Sequence, residues 1–458
     1  MVQGDIDQHH AKFPWQAGIG TEESNTIGTR GIYETNSARC HLAPTNRMPE
    51  NVGTESGWKF YEARPFLSGI FFWTGFDYRG EPSPYGWPAV TSQYGIVDLC
   101  GFPKDIFYYL KSWWGDKPVL HIAAHWNWPE DSEKEKSIKV YSNCDEVELF
   151  LNEESLGKKQ MEVNGHLEWK VNYSPGVLKA VGSDEGEVII TRKVETTGIP
   201  NKIDMHTDNA NLKADGKDVS VITILVKDSE GRIVPTAMNE LAFGLEGPAR
   251  ILGVGNGDPA SHEKERYFET IEVAPIVDLK EKTVKNLTNR PETADGYDDS
   301  GWIPALQKQE DWQVYEDTLL VIRGSFDLPE FSDETVINLF TKSIVDQQSI
   351  FVNGHNIAER LKRDAPGQSY QLDHSILNKG KNEYAVTGQK FRLAHRWDEP
   401  NTDPGLVQLI YPVETWQRKA FNGLAQVIVQ SDGEEGKILL KATSPGLKDK
   451  TIELIAAD

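Results

Sequence analysis

Positive charge and cysteine are what this sequence is short of. It has 48 Lys and Arg against 70 Asp and Glu, a formal net charge of −22 over 458 residues. A surface that acidic repels phosphate backbones and anionic headgroups, which argues against nucleic acid and the membrane surface as partners. The three cysteines, Cys40, Cys100 and Cys144, are odd in number and far apart. They make neither a disulfide framework nor a metal set. His121 and His125 stand four apart, but in a strand-like stretch that spacing spans about 13 Å, and the Glu of a zinc helix is missing. Gly253-Val-Gly-Asn-Gly257 has no Lys-Ser/Thr after it and reads as a turn rather than a phosphate loop. Asp298-Asp299 reads as a solvated turn rather than a calcium site. No metal and no cofactor is expected. No run of about 18 apolar residues occurs, so no bilayer-spanning helix is predicted. Residues 1–12 have no apolar core of the kind a signal peptide needs, and the compartment is left open.

Aromatics, by contrast, are plentiful, with 13 Trp and 15 Tyr. Two stretches organise the chain. Gly20-Thr-Glu-Glu-Ser-Asn-Thr-Ile-Gly-Thr-Arg-Gly-Ile-Tyr33 and Phe71-Phe-Trp-Thr-Gly-Phe-Asp-Tyr-Arg-Gly-Glu-Pro82 each read as a buried strand running into a Gly- and charge-rich loop. Loops at the carboxyl ends of strands are where (β/α) barrels keep their chemistry. The first delivers Glu22. The second delivers Trp73, Asp77 and Arg79-Gly-Glu81. A carboxylate beside an indole suits sugar cleavage: a nucleophile for the anomeric carbon and an apolar plate for the ring.

The length predicts three or four domains at roughly 100–150 residues each. Residues 1–116 carry two βα units, with Leu67–Phe76 as a strand and Pro103–Trp114 as the following helix. A barrel needs eight such units, and two alone leave bare strand edges. The rest must come from another polypeptide or from a longer protein. From 117 to 199 short alternating strands predict an immunoglobulin-like β-sandwich. A second one spans 200–272 and resumes at 418–458. The stretch between, 273–417, contains Trp302, Trp312 and Tyr315 and reads as an inserted jelly roll with an Asn-Gly turn at 353–354.

Four ordered motifs add to this reading. Beside the two stretches above stand Tyr94-Gly-Ile-Val-Asp-Leu-Cys-Gly-Phe-Pro-Lys-Asp105 and His125-Trp-Asn-Trp128. Together they resemble glycoside hydrolase family 2, in particular its bacterial β-galactosidases, densely over residues 14–128 and more loosely over 129–265 and 418–458. For the insert the likeness is a general one, to galactose-binding-type jelly rolls. The resemblance implies a multidomain, mainly β chain: the C-terminal part of a (β/α)8 barrel, then sandwiches with an inserted jelly roll. In the family the nucleophilic Glu stands eight residues before an Arg, which selects Glu22 from Arg30 rather than its neighbour Glu23. Trp73 matches the indole that packs on the sugar, and Asp77 a nearby acid that could equally pair with Arg79 or Arg30. Arg30 and Tyr33 are further candidates around the substrate.

A retaining mechanism needs a second carboxyl group about 5–5.5 Å from the first. The family's acid/base lies in an Asn-Glu pair on the fourth barrel strand. Here Asn152-Glu153, Asn239-Glu240 and Asn382-Glu383 all fall in sandwich regions. The chain is therefore expected to be inactive alone, with a separate N-terminal half as a candidate partner. Ser92, Gln93 and Tyr94 precede Gly95 where family β-glucuronidases place an Asn-x-Lys, so glucuronides are disfavoured. A β-galactoside oligo- or polysaccharide is the expected substrate, with β-mannosides behind. The alternative is a non-catalytic carbohydrate-binding or scaffold protein.

Overall fold

The computed structural model describes residues 5–24, 26–46, 53–128, 135–285, 290–305, 318–362, 367–389 and 403–458. Trp312 and Tyr315 lie outside them. The described chain is mainly β and divides into two compact units, one of Met1–Arg266 with Thr415–Asp458, the other Tyr267–Glu414. No helix among the described residues is long and apolar enough to cross a membrane.

The first unit opens with helix α1 (Ile6–Lys12) and strand β1 (Gly18–Ser24), then helix α2 (Thr54–Glu62), strand β2 (Leu67–Trp73) and helix α3 (Asp105–Trp114). β1 and β2 pair in parallel as a sheet of two strands. The apolar run expected to extend to Phe76 ends as strand at Trp73. It is also not covered on both faces, because Phe71 is 62% exposed and Ile19 and Phe76 are exposed beside it. On the other side α3 presents Ile106, Tyr109 and Leu110 to Ala123 and Tyr141, with Phe72 and Trp58 packed against the same cluster.

Seven antiparallel strands follow, three in one sheet (120–123, 135–142, 167–172) and four in another (146–151, 154–160, 177–184, 187–195). Alternation puts Ile138 and Trp169 from the first sheet against Leu149 and Leu178 from the second, around the fully buried Trp126. The strand Glu154–Gln160 was not legible in the sequence because its polar residues leave it almost wholly exposed.

A second pair of sheets is built from both sides of the insertion. Val219–Lys227 pairs with Leu424–Ser431, and Glu240–Glu246 with Gly436–Thr443. Ala249–Gly255 is a strand, so the first three residues of the turn expected at 253–257 belong to it.

The other unit has a four-stranded and a six-stranded antiparallel sheet. Ile322, Phe326, Ile350 and Val386 of the larger sheet meet Ile337, Leu339, Val407 and Leu409 of the smaller one in a single core.

Candidate active site

Glu22 and Glu23 are neighbours in sequence with opposite environments. A bulge separates the pairing of Gly20 with Ile70 from that of Glu23 with Phe72. The extra residue leaves Thr21 and Glu22 both exposed while Glu23 turns inward, to 4% exposure. Tyr61 on α2 donates to Glu23 Oε1 at 2.8 Å. Gly20 makes room for that ring, since a Cβ there would stand 2.3 Å from the Tyr61 hydroxyl oxygen. Burial, helped by the Glu23 carboxylate, holds the Tyr61 hydroxyl well above its ordinary pKa. Glu22 has no hydrogen-bond partner among the described residues and stands two residues before Ser24, whose pairing partner is Trp73.

Trp73 ends β2, 40% exposed, and the peptide bond after it is cis. Its indole Nε1 donates to the Tyr78 hydroxyl at 3.0 Å, and that hydroxyl donates to Glu81. Tyr78 and Glu81 had not been singled out as partners of the indole. The signal was the loop itself, which returns a hydroxyl five residues after the Trp.

Asp77 is placed differently from expectation. It is buried and pairs with neither Arg79 nor Arg30 but with Lys104, Nζ to Oδ1 2.8 Å. The same oxygen accepts the Gly95 amide at 2.8 Å. A Cβ at Gly95 would lie 2.2 Å from the Asp77 nitrogen, so only glycine allows this approach. Burial pushes the Asp77 carboxyl up to about 6, against the pull of Lys104, and pushes the Lys104 ammonium down. The alternatives for Asp77 are taken elsewhere. Arg79 bonds Glu265. Arg30 binds Asp98 at 2.6 Å and donates to the carbonyls of Asn256 and Phe421, each at 2.9 Å.

Arg30 thus ties the motif segment to the second sandwich, and its buried guanidinium is committed to protein groups. Tyr33 is similarly taken up. Its hydroxyl donates to Asp105 Oδ1 at 3.2 Å, and the same oxygen meets His121 Nε2 at 2.7 Å. Burial first, then Asp105, holds the Tyr33 hydroxyl well above its usual pKa. Of the five residues expected at the site, the fold brings Glu22 and Trp73 to the ends of paired strands. It commits Asp77, Arg30 and Tyr33 to protein partners instead. His121, bonded to Asp105, stacks on Tyr108 at 3.8 Å between centroids. Asp299 pairs with Lys280 and Arg323. Among the described residues no group of acidic, His or Cys side chains is arranged to hold a metal ion.

The family model described as glycoside hydrolase family 2 C-terminal domain 5 matches residues 203–271 and 409–453. Over those residues the chain matches the C-terminal domain of glycoside hydrolase family 2. A domain of unknown function (DUF4982) matches 133–190. Beta-galactosidase BoGH2A of Bacteroides ovatus is 39% identical over 279 residues, 57% of this chain and 33% of that protein. A putative beta-glucuronidase of Formosa agariphila is 34% identical over 227 residues, 47% of this chain and 22% of its own length. The chain therefore spans a third or less of these relatives. A beta-glycosidase from Bacteroides vulgatus superposes with TM-score 0.58 at 22% identity, covering 99% of this chain and 44% of that one. A family 2 member from Bacteroides cellulosilyticus gives 0.57 at 20% identity, covering all of this chain and 41% of its own. At these identities the superpositions speak for the fold alone.

Proposed function

We propose that this chain is the carboxyl-terminal part of a retaining exo-β-galactosidase, with Glu22 the nucleophile and Trp73 the plate beneath the sugar ring. The observation that carries the reading is the exposed Glu22 carboxylate, without a hydrogen-bond partner among the described residues, on the strand paired to the one that ends in Trp73. On this reading β1 and β2 are the last two strands of a (β/α)8 barrel within residues 1–116. The sandwich of 117–199 and the one of 200–272 and 418–458 are immunoglobulin-like, and 273–417 is a jelly roll. Exposed Ile19 and Phe71 support this, being barrel-type side chains on a sheet with no further strand beside it among the described residues.

The chemistry is two displacements. Glu22 attacks the anomeric carbon while an acid protonates the departing oxygen; water, deprotonated by that same group, then hydrolyses the glycosyl ester. The acid comes from barrel units beyond these residues. Asn152-Glu153 forms a tight turn with Glu153 bound to Lys179, and Asn382-Glu383 lies within a strand. General acid–base assistance is worth about 10²–10⁴ in rate, so the chain alone is inactive. A galactoside is favoured over a glucuronide because the residues before Gly95 bring no cation. The nearby Lys104 ammonium is spent on Asp77 and the Gln93 carbonyl. The β-galactosidase relative also matches over more of the chain than the glucuronidase does.

Hydrolysis of nitrophenyl β-galactoside, β-glucuronide and β-mannoside tests the reading, with the chain alone and joined to the remaining barrel units. Turnover of the galactoside is expected only from the joined form and is lost with Glu22→Gln. Activity indifferent to Glu22, or a preference for the glucuronide, overturns it.

A further inference from the structure

The unit Tyr267–Glu414 carries a polar cleft that plays no part in the chemistry above. It has a volume of about 350 Å³ and lies beside the strand Thr318–Leu328. That is at the small end of ligand pockets, which run from about 300 to 1,000 Å³. Three carboxylates line it, Asp278, Asp299 and Glu383, with three cations, Lys280, Arg323 and Lys381. The formal charges balance, so the cleft carries no net charge that would favour an ion of one sign.

The floor is rigid. Arg323 is 2% exposed and donates to the carbonyls of Glu292 and Ala294 at 2.7 and 3.0 Å. It also bonds Glu383, and reaches Asp299 Oδ2 at 3.3 Å. Lys280 meets the other Asp299 oxygen at 2.6 Å. These pairs orient one another and leave specific atoms open. Glu383 Oε1, the Ser325 hydroxyl, the Lys381 ammonium and the Asp278 carboxylate have no hydrogen-bond partner among the described residues. The open set thus combines acceptors and donors in one small space. A hydroxyl group both donates and accepts, and a ring bearing adjacent hydroxyls matches such a set where a lone anion or cation does not. Leu279 and Pro304 supply apolar contact for the ring's CH groups.

We propose that this cleft binds one neutral pyranose ring of a glycan, at a site separate from Glu22 and Trp73. The inference stands on the cleft's own residues and does not depend on the assignment of Glu22. It is tested by titrating the 458-residue chain with methyl glycosides of galactose, glucose, mannose and xylose, followed by calorimetry and saturation-transfer NMR. Glucuronate and inorganic phosphate serve as the anionic probes. A millimolar dissociation constant for at least one neutral glycoside is expected, as suits a single ring. Lys381→Ala and Asp278→Ala, both at the rim, each weaken it by about tenfold, the share of one charge-assisted hydrogen bond. Ser325→Ala does the same where it folds, and Glu22→Gln and Trp73→Ala leave the affinity unchanged. No binding by the folded chain, tighter binding of the anions, or binding that survives the rim substitutions overturns the proposal. So does binding lost with Trp73→Ala, which would place the sugar at the barrel strands.

Discussion

The Tyr61 hydroxyl holds Glu23 at 2.8 Å, and this bond divides two adjacent carboxylates between two tasks. Glu23 is buried structure, whereas Glu22 is exposed and is the proposed nucleophile. Removing a hydrogen bond to a buried charged group costs about 1.5–3 kcal/mol, so Tyr61→Phe and Glu23→Gln should lower the urea midpoint accordingly. Gly20→Ala should act in the same direction by displacing the ring. Glu22→Gln, at an exposed position without partners, is expected within about 0.5 kcal/mol of the parent. Equal losses at both positions would contradict the division.

The buried pair of Asp77 and Lys104 invites a second substitution series. Removing one partner strands the other's charge and should cost about 3–5 kcal/mol, whereas replacing both with apolar residues of similar size is often neutral. Lys104→Met is therefore expected to destabilise strongly, and Asp77→Leu with Lys104→Met to recover most of the loss. The Gly95 amide, which Asp77 also accepts, keeps the recovery short of complete. Denaturant unfolding of the three variants measures both effects, and strict additivity of the two single losses would refute coupling.

How much of this could be read beforehand divides along burial. Leu149 and Leu178 sit in alternating runs, so the strands that carry them were legible from their period-two pattern. Glu154–Gln160 escaped because a strand with almost nothing buried has no such pattern. The family resemblance, carried by the distance from Glu22 to Arg30, singled out the carboxylate that the bulge exposes. The partners of Asp77 and Arg30 were out of reach for a different reason. Asp98 and Lys104, Asn256, and Phe421 come from three separate stretches, and the Arg30–Phe421 bond spans 391 residues. Nothing local encodes such a pairing. The same holds for the cleft around Arg323, assembled from strands and turns spread over about a hundred residues.

Stability against pH should carry two opposed contributions. Burial, with Lys136 close by, pulls His125 down to about 4. Unfolding releases it to its ordinary value near 6.5. The unfolded chain then binds more protons between those values, so this group's contribution rises with pH across that window and is lost on acidification. Asp77, raised to about 6, acts the other way. The native state holds its proton longer, and its contribution falls as pH rises from about 4 to about 6. The wild-type profile therefore hides both. His125→Phe should remove a rise on the order of 2–3 kcal/mol, and Asp77→Leu with Lys104→Met should unmask it. Unfolding free energies measured at half-unit intervals from pH 4 to 7 check the signs, and a steeper acid loss in His125→Phe would overturn this reading.

The bond from the Trp73 indole to Tyr78, continued to Glu81, gives the last prediction its form. A ring platform works by presenting its face at a fixed angle, and an indole at the end of a strand turns freely about two side-chain torsions unless its polar edge is held. Tyr78→Phe removes the only hydrogen-bond acceptor that Trp73 has among the described residues, while keeping the aromatic edge contact at 5.7 Å. A hydrogen bond between neutral groups is worth about 0.5–1.5 kcal/mol, which sets the expected loss at about three- to tenfold in kcat/KM for the galactoside in the completed enzyme. Glu81→Gln, which still accepts from the Tyr78 hydroxyl, should lose less. Folding is spared because Tyr78 lies in a partly exposed loop. The decisive comparison is with Trp73→Ala, in which Tyr78→Phe should then have no further effect. An undiminished Tyr78→Phe effect in the absence of the indole would show that Tyr78 touches the sugar itself rather than acting through Trp73.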